Sequence, residues 1–176
     1  GAVFVLYKSG EKEYEGYLKD GKRDGKLTSY YEDGKKDSEI NYKDGKRDGY
    51  VAEYYDNGQI REEGNFKDGE LNGKATEYYE NGQIRSEGNY KDDMKDGKYT
   101  FYLENGKIRT ERNYKYGKED GKVTYYYEDG SIDRVEEWKD GRRILEGITT
   151  FSVPEDMTSP LAINIEFTQN LFNEKL

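Results

Sequence analysis

The chain has 176 residues, with 38 acidic against 29 basic side chains, a net charge of −9 and a mean hydropathy of −1.26. That charge disfavours nucleic acid and anionic membrane as default partners, since both demand a basic face. The absence of His and Cys removes imidazole bases, thiol nucleophiles, disulfides and ordinary zinc sites.

A composition this polar is where disordered chains usually fall. Nineteen tyrosines argue for order, because rings placed in register supply large surfaces that stack while their hydroxyls stay wet. At the N-terminus, Gly1 to Tyr7 is short and lacks the basic flank of a signal peptide. No apolar run approaches the roughly 20 residues of a membrane span. The compartment therefore stays open between the cytoplasm and export through a segment ahead of Gly1.

From Gly10 onward the chain is periodic. Gly34, Gly58, Gly82, Gly106 and Gly130 fall 24 residues apart, and Gly25, Gly49, Gly73, Gly97 and Gly121 keep the same interval. Tyr30, Tyr54, Tyr78, Tyr102 and Tyr126 form one column, and Lys19, Lys43, Lys67, Lys91, Lys115 and Lys139 another. Leu18, Tyr42, Phe66, Tyr90, Tyr114 and Trp138 precede those lysines. A period of this length marks a tandem array whose units bury side chains only against their neighbours.

Each unit reads as a hairpin. Lys74 to Tyr79 runs out, Glu80-Asn81-Gly82-Gln83 turns, and Ile84 to Lys91 runs back. Asn-Gly favours a type I′ turn, with Asp33-Gly34 and Asp129-Gly130 as variants. The stretches Asp20–Gly25 and Asp44–Gly49 read as a second, wider turn.

Alternation places Ile60, Glu62, Gly64 and Phe66 on one face and Arg61, Glu63, Asn65 and Lys67 on the other. Gly64 and Gly88 leave gaps into which a neighbouring tyrosine ring could lie. Leu27, Val51, Ala75, Tyr99 and Val123 share a face with Tyr31, Tyr55, Tyr79, Leu103 and Tyr127, and the Tyr30 column faces the other way. The connections are too short for crossover helices, so the strands must be antiparallel. The predicted object is all-β: an elongated single-layer antiparallel meander of about six hairpin repeats over residues 1–143, with an aromatic face and a charged face.

Composition breaks near Ile144, after which no tyrosine occurs and both prolines, Pro154 and Pro160, appear. Residues 144–176 read as a capping or interaction segment. Ile144 to Val153 could extend the sheet; Leu161 to Thr168 alternates like a half-buried strand, with a helix from Ser159-Pro160 as the competitor. Its apolar residues could cover the open sheet edge or exchange in a homodimer.

The chemistry-bearing motifs are sparse. Acidic residues recur on exposed turns in every unit, which fits a solvated surface better than a glycosidase carboxylate pair. Asp20 to Gly25 approaches a calcium loop, but Lys22 stands where an oxygen ligand is needed and no Glu follows at the required distance. The expectation is no catalytic residue, no metal and no cofactor. The candidate binding face is the column Tyr30, Tyr54, Tyr78, Tyr102 and Tyr126 with Trp138. The repeat glycines Gly34, Gly58, Gly82, Gly106 and Gly130 are structural.

The run Tyr54-Tyr55-Asp56-Asn57-Gly58-Gln59-Ile60 with Glu63 to Gly69, repeated at Tyr78 to Ile84 with Glu87 to Asp92, resembles the bacterial variant of the MORN repeat. That set includes the YwqK-like antitoxin repeat proteins. The resemblance covers about residues 1–143 and implies protein-protein scaffolding, dimerisation or lipid association. Departures fall at Asp93 in place of Gly, at Arg112 and Glu136 where two units have Gly64 and Gly88, and at Trp138. The expected function is a non-catalytic scaffold for another protein, antitoxin-like in setting. A glycan- or lipid-headgroup-binding module using the tyrosine ladder is the alternative.

Overall fold

The computed structural model describes residues 1–145. They form fourteen strands: β1 (Ala2–Leu6), β2 (Lys12–Lys19), β3 (Lys22–Arg23), β4 (Gly25–Tyr30), β5 (Lys36–Lys43), β6 (Lys46–Tyr54), β7 (Ile60–Lys67), β8 (Glu70–Tyr78), β9 (Ile84–Lys91), β10 (Met94–Tyr102), β11 (Ile108–Lys115), β12 (Lys118–Tyr126), β13 (Ile132–Lys139) and β14 (Arg142–Ile144). All lie in one open antiparallel sheet in chain order, with β3 pairing only β2. The meander expected from the period is the fold. By its contacts the chain divides into Gly1–Ile144 and Leu145–Leu176. Ile144 ends β14. The readings for the rest of the tail, including the strand or helix at Leu161 to Thr168, lie outside the described residues.

The two turn types are the reverse of the sequence expectation. Lys43 pairs with Lys46, leaving Asp44-Gly45 as a two-residue loop with φ of 50° and 86°. Two positive φ values in a two-residue loop make the type I′ turn, so it joins the repeats. The Asn-Gly loop is longer: Tyr55 N donates to the Gln59 carbonyl at 2.8 Å, and Gly58 N donates to the Tyr55 carbonyl at 2.9 Å. Only Gly58 among Asp56, Asn57 and Gly58 has positive φ, which is a type I turn closed by a left-handed glycine. Asn57 accepts the Gln59 N–H on Oδ1 at 2.8 Å, so its side chain serves the turn as an acceptor instead of occupying the left-handed region.

Asp93 keeps the inter-repeat geometry at φ 63° without glycine. It is tied across the turn, with Leu71 N donating to Asp93 Oδ1 at 2.6 Å and Asp93 N donating to the Leu71 carbonyl at 3.1 Å.

The core is thin and lies on both sides of the sheet. Ile40, Val51, Tyr99 and Val123 are buried on one face with Ser38, Ser86 and Thr110, while Ala52, Thr28, Thr76 and Thr100 are buried on the other. Residues of this size, with few aliphatics, match a layer covered by its own longer side chains. The expected division into an aromatic and a charged face does not hold, because both faces interleave rings with charges. Arg61 also moves: the longer loop shifts the register between Glu53 and Tyr54, and Arg61 bonds Glu53, directly opposite Glu62. The strict alternation that separated Arg61 from Glu62 fails at that bulge.

Candidate binding surfaces on the two sheet faces

One face is built from a repeated three-residue unit. Glu39 stands opposite Thr28 and Ala52; Glu63, Glu87 and Glu111 take the same place in later hairpins. Each accepts the hydroxyl of a column tyrosine: Tyr54 on Glu39 at 3.1 Å, Tyr78 on Glu63 at 2.7 Å, Tyr102 on Glu87 at 2.7 Å and Tyr126 on Glu111 at 2.9 Å. Tyr30 donates to Glu15 at 2.6 Å. From the other side come Lys26, Lys74 and Lys98, at 2.6, 2.7 and 2.5 Å from Glu39, Glu87 and Glu111. Tyr50 replaces the lysine at Glu63, donating at 2.5 Å.

The electrostatics follow from this pairing. Burial pushes the Glu39 carboxyl up, but hydrogen bonds from Lys26 and Lys36 outweigh it and leave it at about 2. The hydrogen bond to Glu15, with burial, pushes Tyr30 up to about 12. Burial and the bonds to Glu63 and Glu87 push Tyr78 and Tyr102 to about 12 as well. The tyrosine column singled out as a binding face therefore has its hydroxyls committed within the sheet. Gly34, Gly58, Gly82, Gly106 and Gly130 close the loops at that end, all with positive φ.

Trp138 is not on that face. Glu111 pairs with Thr124, so Val123 points the opposite way; Val123 pairs with Glu136, which accepts Trp138 Nε1 at 3.2 Å. The grouping of Trp138 with the tyrosine column is thus corrected by strand alternation.

This second face changes along the array. Around Gly64 it is acidic: Glu53, Glu62 and Glu77 oppose one another across β6, β7 and β8, beside a cavity of about 120 Å³ that also touches Phe66, Leu71 and Tyr99. Burial and the neighbouring Glu53 carboxylate hold Glu62 above the usual carboxylate range.

At β10 the character switches. The Tyr99 ring lies over Gly88, filling the gap the sequence implied, and is 3% exposed. Tyr90 and Tyr114 meet it edge-on at 6.1 and 5.9 Å between centroids, and Phe101 lies at 5.2 Å. Lys95 Nζ sits 4.1 Å from the Tyr99 centroid, and burial pulls its ammonium below the usual lysine range.

Beyond this cluster, Arg112 bonds Glu119 and lies 5.5 Å from the Phe101 centroid, with its Nε buried and unpartnered. Arg134 stands 3.7 Å from the Tyr125 centroid and bonds Asp133 and Glu136. Burial pushes the Glu136 carboxyl up, but bonds from Arg134, Trp138 and Arg143 leave it below the usual carboxylate range. The irregular positions Arg112, Glu136 and Trp138 thus knit the last hairpins together.

Between β9 and β13 this face holds a groove of about 570 Å³ lined by Arg85, Phe101, Arg109, Arg112, Tyr125 and Arg134. Arg85 and Arg109 are exposed and, among the described residues, lack the ion pair that Arg61 makes with Glu53. At Arg109 the corresponding carboxylate position holds Phe101, and at Arg85 it holds Glu77, which accepts from Ser86 Oγ at 3.2 Å. Sequence reading by column missed these residues. The available signal was the change down one column from Glu53 and Glu77 to Phe101 and Tyr125.

No curated protein matches the chain. Among solved structures it is similar to part of one described as the crystal structure of GtfA/B complex bound to UDP and GlcNAc, with a TM-score of 0.27 and 15% identity. That similarity covers 64% of this chain and 22% of the other, so the chain spans about a fifth of that protein's length. A family profile described as MORN repeat variant matches residues 23–44, 47–68, 71–92, 95–116 and 119–140. Five consecutive matches in phase with the hairpins cover more than half of the sequence, and the chain belongs to the MORN repeat variant family.

Proposed function

We propose that the array is a non-catalytic scaffold that binds another protein, in an antitoxin-like setting, through the face that carries the arginine-lined groove. The observation that supports this reading is the asymmetry between faces. On one, the column tyrosines and glutamates satisfy each other repeat after repeat. On the other, the exposed guanidinium groups of Arg85 and Arg109 make no ion pair among the described residues and line a groove with aromatic rings. Arg and aromatic residues are the side chains that dominate binding energy at protein interfaces. A chain without His or Cys also lacks the commonest general base and the thiol nucleophile, which supports binding over catalysis.

The absence of native cysteine makes the test direct. A single cysteine placed at Arg109, or at Lys122 on the opposite face, can be blocked with a polyethylene glycol maleimide. Capture from the native source followed by mass spectrometry should yield a protein that is lost on blocking at Arg109 and kept on blocking at Lys122. Loss at Lys122 alone, or hits on a glycan array with no captured protein, would overturn the proposal.

A further inference from the structure

We infer that the groove between β9 and β13 binds an extended acidic peptide segment of its partner, with one carboxylate on each of Arg85 and Arg109 and an aromatic or apolar side chain on Phe101 and Tyr125. This rests on the scaffold reading above and names what the scaffold recognises. The two arginines occupy equivalent positions on strands two apart, so about 10 Å separates their backbones. A polyproline II segment turns once every three residues and rises about 9 Å in that distance. Acidic residues three apart on such a segment therefore lie on one side at the spacing of the arginines. Each guanidinium can take a carboxylate with two parallel hydrogen bonds; among the described residues neither makes an ion pair, and Glu77, the carboxylate at Arg85's position, accepts from Ser86 instead.

The floor of the groove suits the same ligand. Phe101 is half-buried on β10, between the strands of Arg85 and Arg109, and Tyr125 on β12, capped from one side by Arg134, extends the apolar area beyond Arg109. A nucleic acid strand fits less well, since its evenly repeated phosphates would set charge against Glu77 and Asp133 on the rim, whereas a peptide can carry carboxylates at the two arginines alone. The acidic stretch at Glu53, Glu62 and Glu77 bounds the site on the β8 side and sets a direction, because it repels a carboxylate placed beyond Arg85.

The test uses the whole chain and a panel of fluorescein-labelled peptides, each with two glutamates three residues apart and one phenylalanine at a varied offset, read by fluorescence anisotropy at low and high salt. At least one peptide should bind with Kd below about 1 mM and weaken with salt. The double variant R85E/R109E should weaken it about tenfold or more, while K43E/K122E, with the same charge change away from the groove, should not. Circular dichroism establishes that both variants fold. Absence of binding by every peptide, equal binding by R85E/R109E, or tighter binding of a single-stranded oligonucleotide overturns the inference. A dimer in sedimentation that R85E/R109E dissociates overturns it too, in favour of a second copy on this face. If the captured partner survives R85E/R109E but is lost on blocking elsewhere on the same face, the scaffold reading stands and the groove assignment alone falls.

Discussion

Substituting Gly88 and Gly64 by alanine should give opposite results, although both glycines occupy the same position in their hairpins. A Cβ on Gly88 would lie 2.1 Å from Tyr99 Cδ2 and 2.7 Å from two further ring atoms, and a ring cannot fold out of the way. Tyr99 must lift from a site where it is 3% exposed and give up edge contacts with Tyr90 and Tyr114. Those contacts are worth about 0.5–1.5 kcal/mol each, and overpacking of this kind costs about 1–3 kcal/mol. A Cβ on Gly64 comes too close only to the flexible end of Leu71, at 2.8 Å beside the 120 Å³ cavity, and touches Ala75 Cβ and the Lys74 carbonyl at ordinary distances of 3.5 and 3.7 Å. There the entropic gain of removing a strand glycine, about 0.5–1 kcal/mol, offsets a small rearrangement. Gly88→Ala should thus be less stable than Gly64→Ala by about 2 kcal/mol.

Urea midpoints by far-ultraviolet circular dichroism measure the difference, compared transition by transition because arrays can unfold in segments. Gly88→Ala should cost little when made on top of Tyr99→Val, where no ring is left to clash and the pair resembles Ile40 beside Val51. Equal stability of the two alanine variants, or the same cost of Gly88→Ala with and without Tyr99→Val, would refute the reasoning.

Alkaline titration should unfold the array late. Tyr30, Tyr78 and Tyr102 sit at about 12 against an ordinary 10.0; a raised folded value means their contribution is complete below pH 10 and lost as pH rises towards 12. Loss of circular dichroism above pH 10 should coincide with a step in tyrosinate absorbance that is reduced in the triple variant Tyr30→Phe, Tyr78→Phe, Tyr102→Phe, and an unchanged step in that variant would contradict this. At the acid end, Glu39 at about 2 against an ordinary 4.5 stabilises the fold fully above 4.5 and loses that contribution as pH falls towards 2. Glu39→Gln should flatten acid unfolding over that range while lowering stability at neutral pH. Asp93→Gly should be close to neutral, because relief of left-handed strain of about 1–2 kcal/mol offsets the lost Leu71 bond. Asp93→Ala keeps the strain and loses the bond, so it should cost about 1 kcal/mol by urea denaturation.

The 24-residue period made the sheet and its antiparallel order legible, because hairpins this short leave no other connection. It misread the turns. An Asp-Gly pair with both residues at positive φ looks, in sequence, like part of a longer glycine-rich stretch. The Asn-Gly signal, usually diagnostic of a two-residue loop, instead marks a side chain that caps a three-residue one. That extra residue moved Arg61 across the sheet, and with it the logic of the whole column Arg61, Arg85 and Arg109. The gap over Gly88 was legible because a glycine beside an aromatic has a direct steric meaning. The groove was not, because it depends on which carboxylates are missing, and a partner's absence is visible only once register is known.

The hydrogen bonds bear on why the proposed recognition falls on the more variable face. Tyr54 joins its hydroxyl to Glu39 in the preceding hairpin, and Tyr31 reaches forward to the Tyr54 carbonyl at 2.7 Å. Tyr55 and Tyr79 repeat that forward reach, so each unit is fastened to the next by side chains as well as by the strand ladder. In a quasi-one-dimensional array, stability is a sum of such nearest-neighbour terms, and a column that carries them must keep its residue type in every unit. Positions outside that repeated set can change residue type when their local partners change with them, as Glu53 and Glu77 give way to Phe101 and Tyr125, and Gly64 and Gly88 to Arg112 and Glu136, each held in an ion pair. Glu77, Phe101, Arg112 and Tyr125 from those columns line the groove. Regularity on one face is therefore what permits diversity on the other, and a binding site assembled from diverse positions needs neither a break in the period nor an inserted loop.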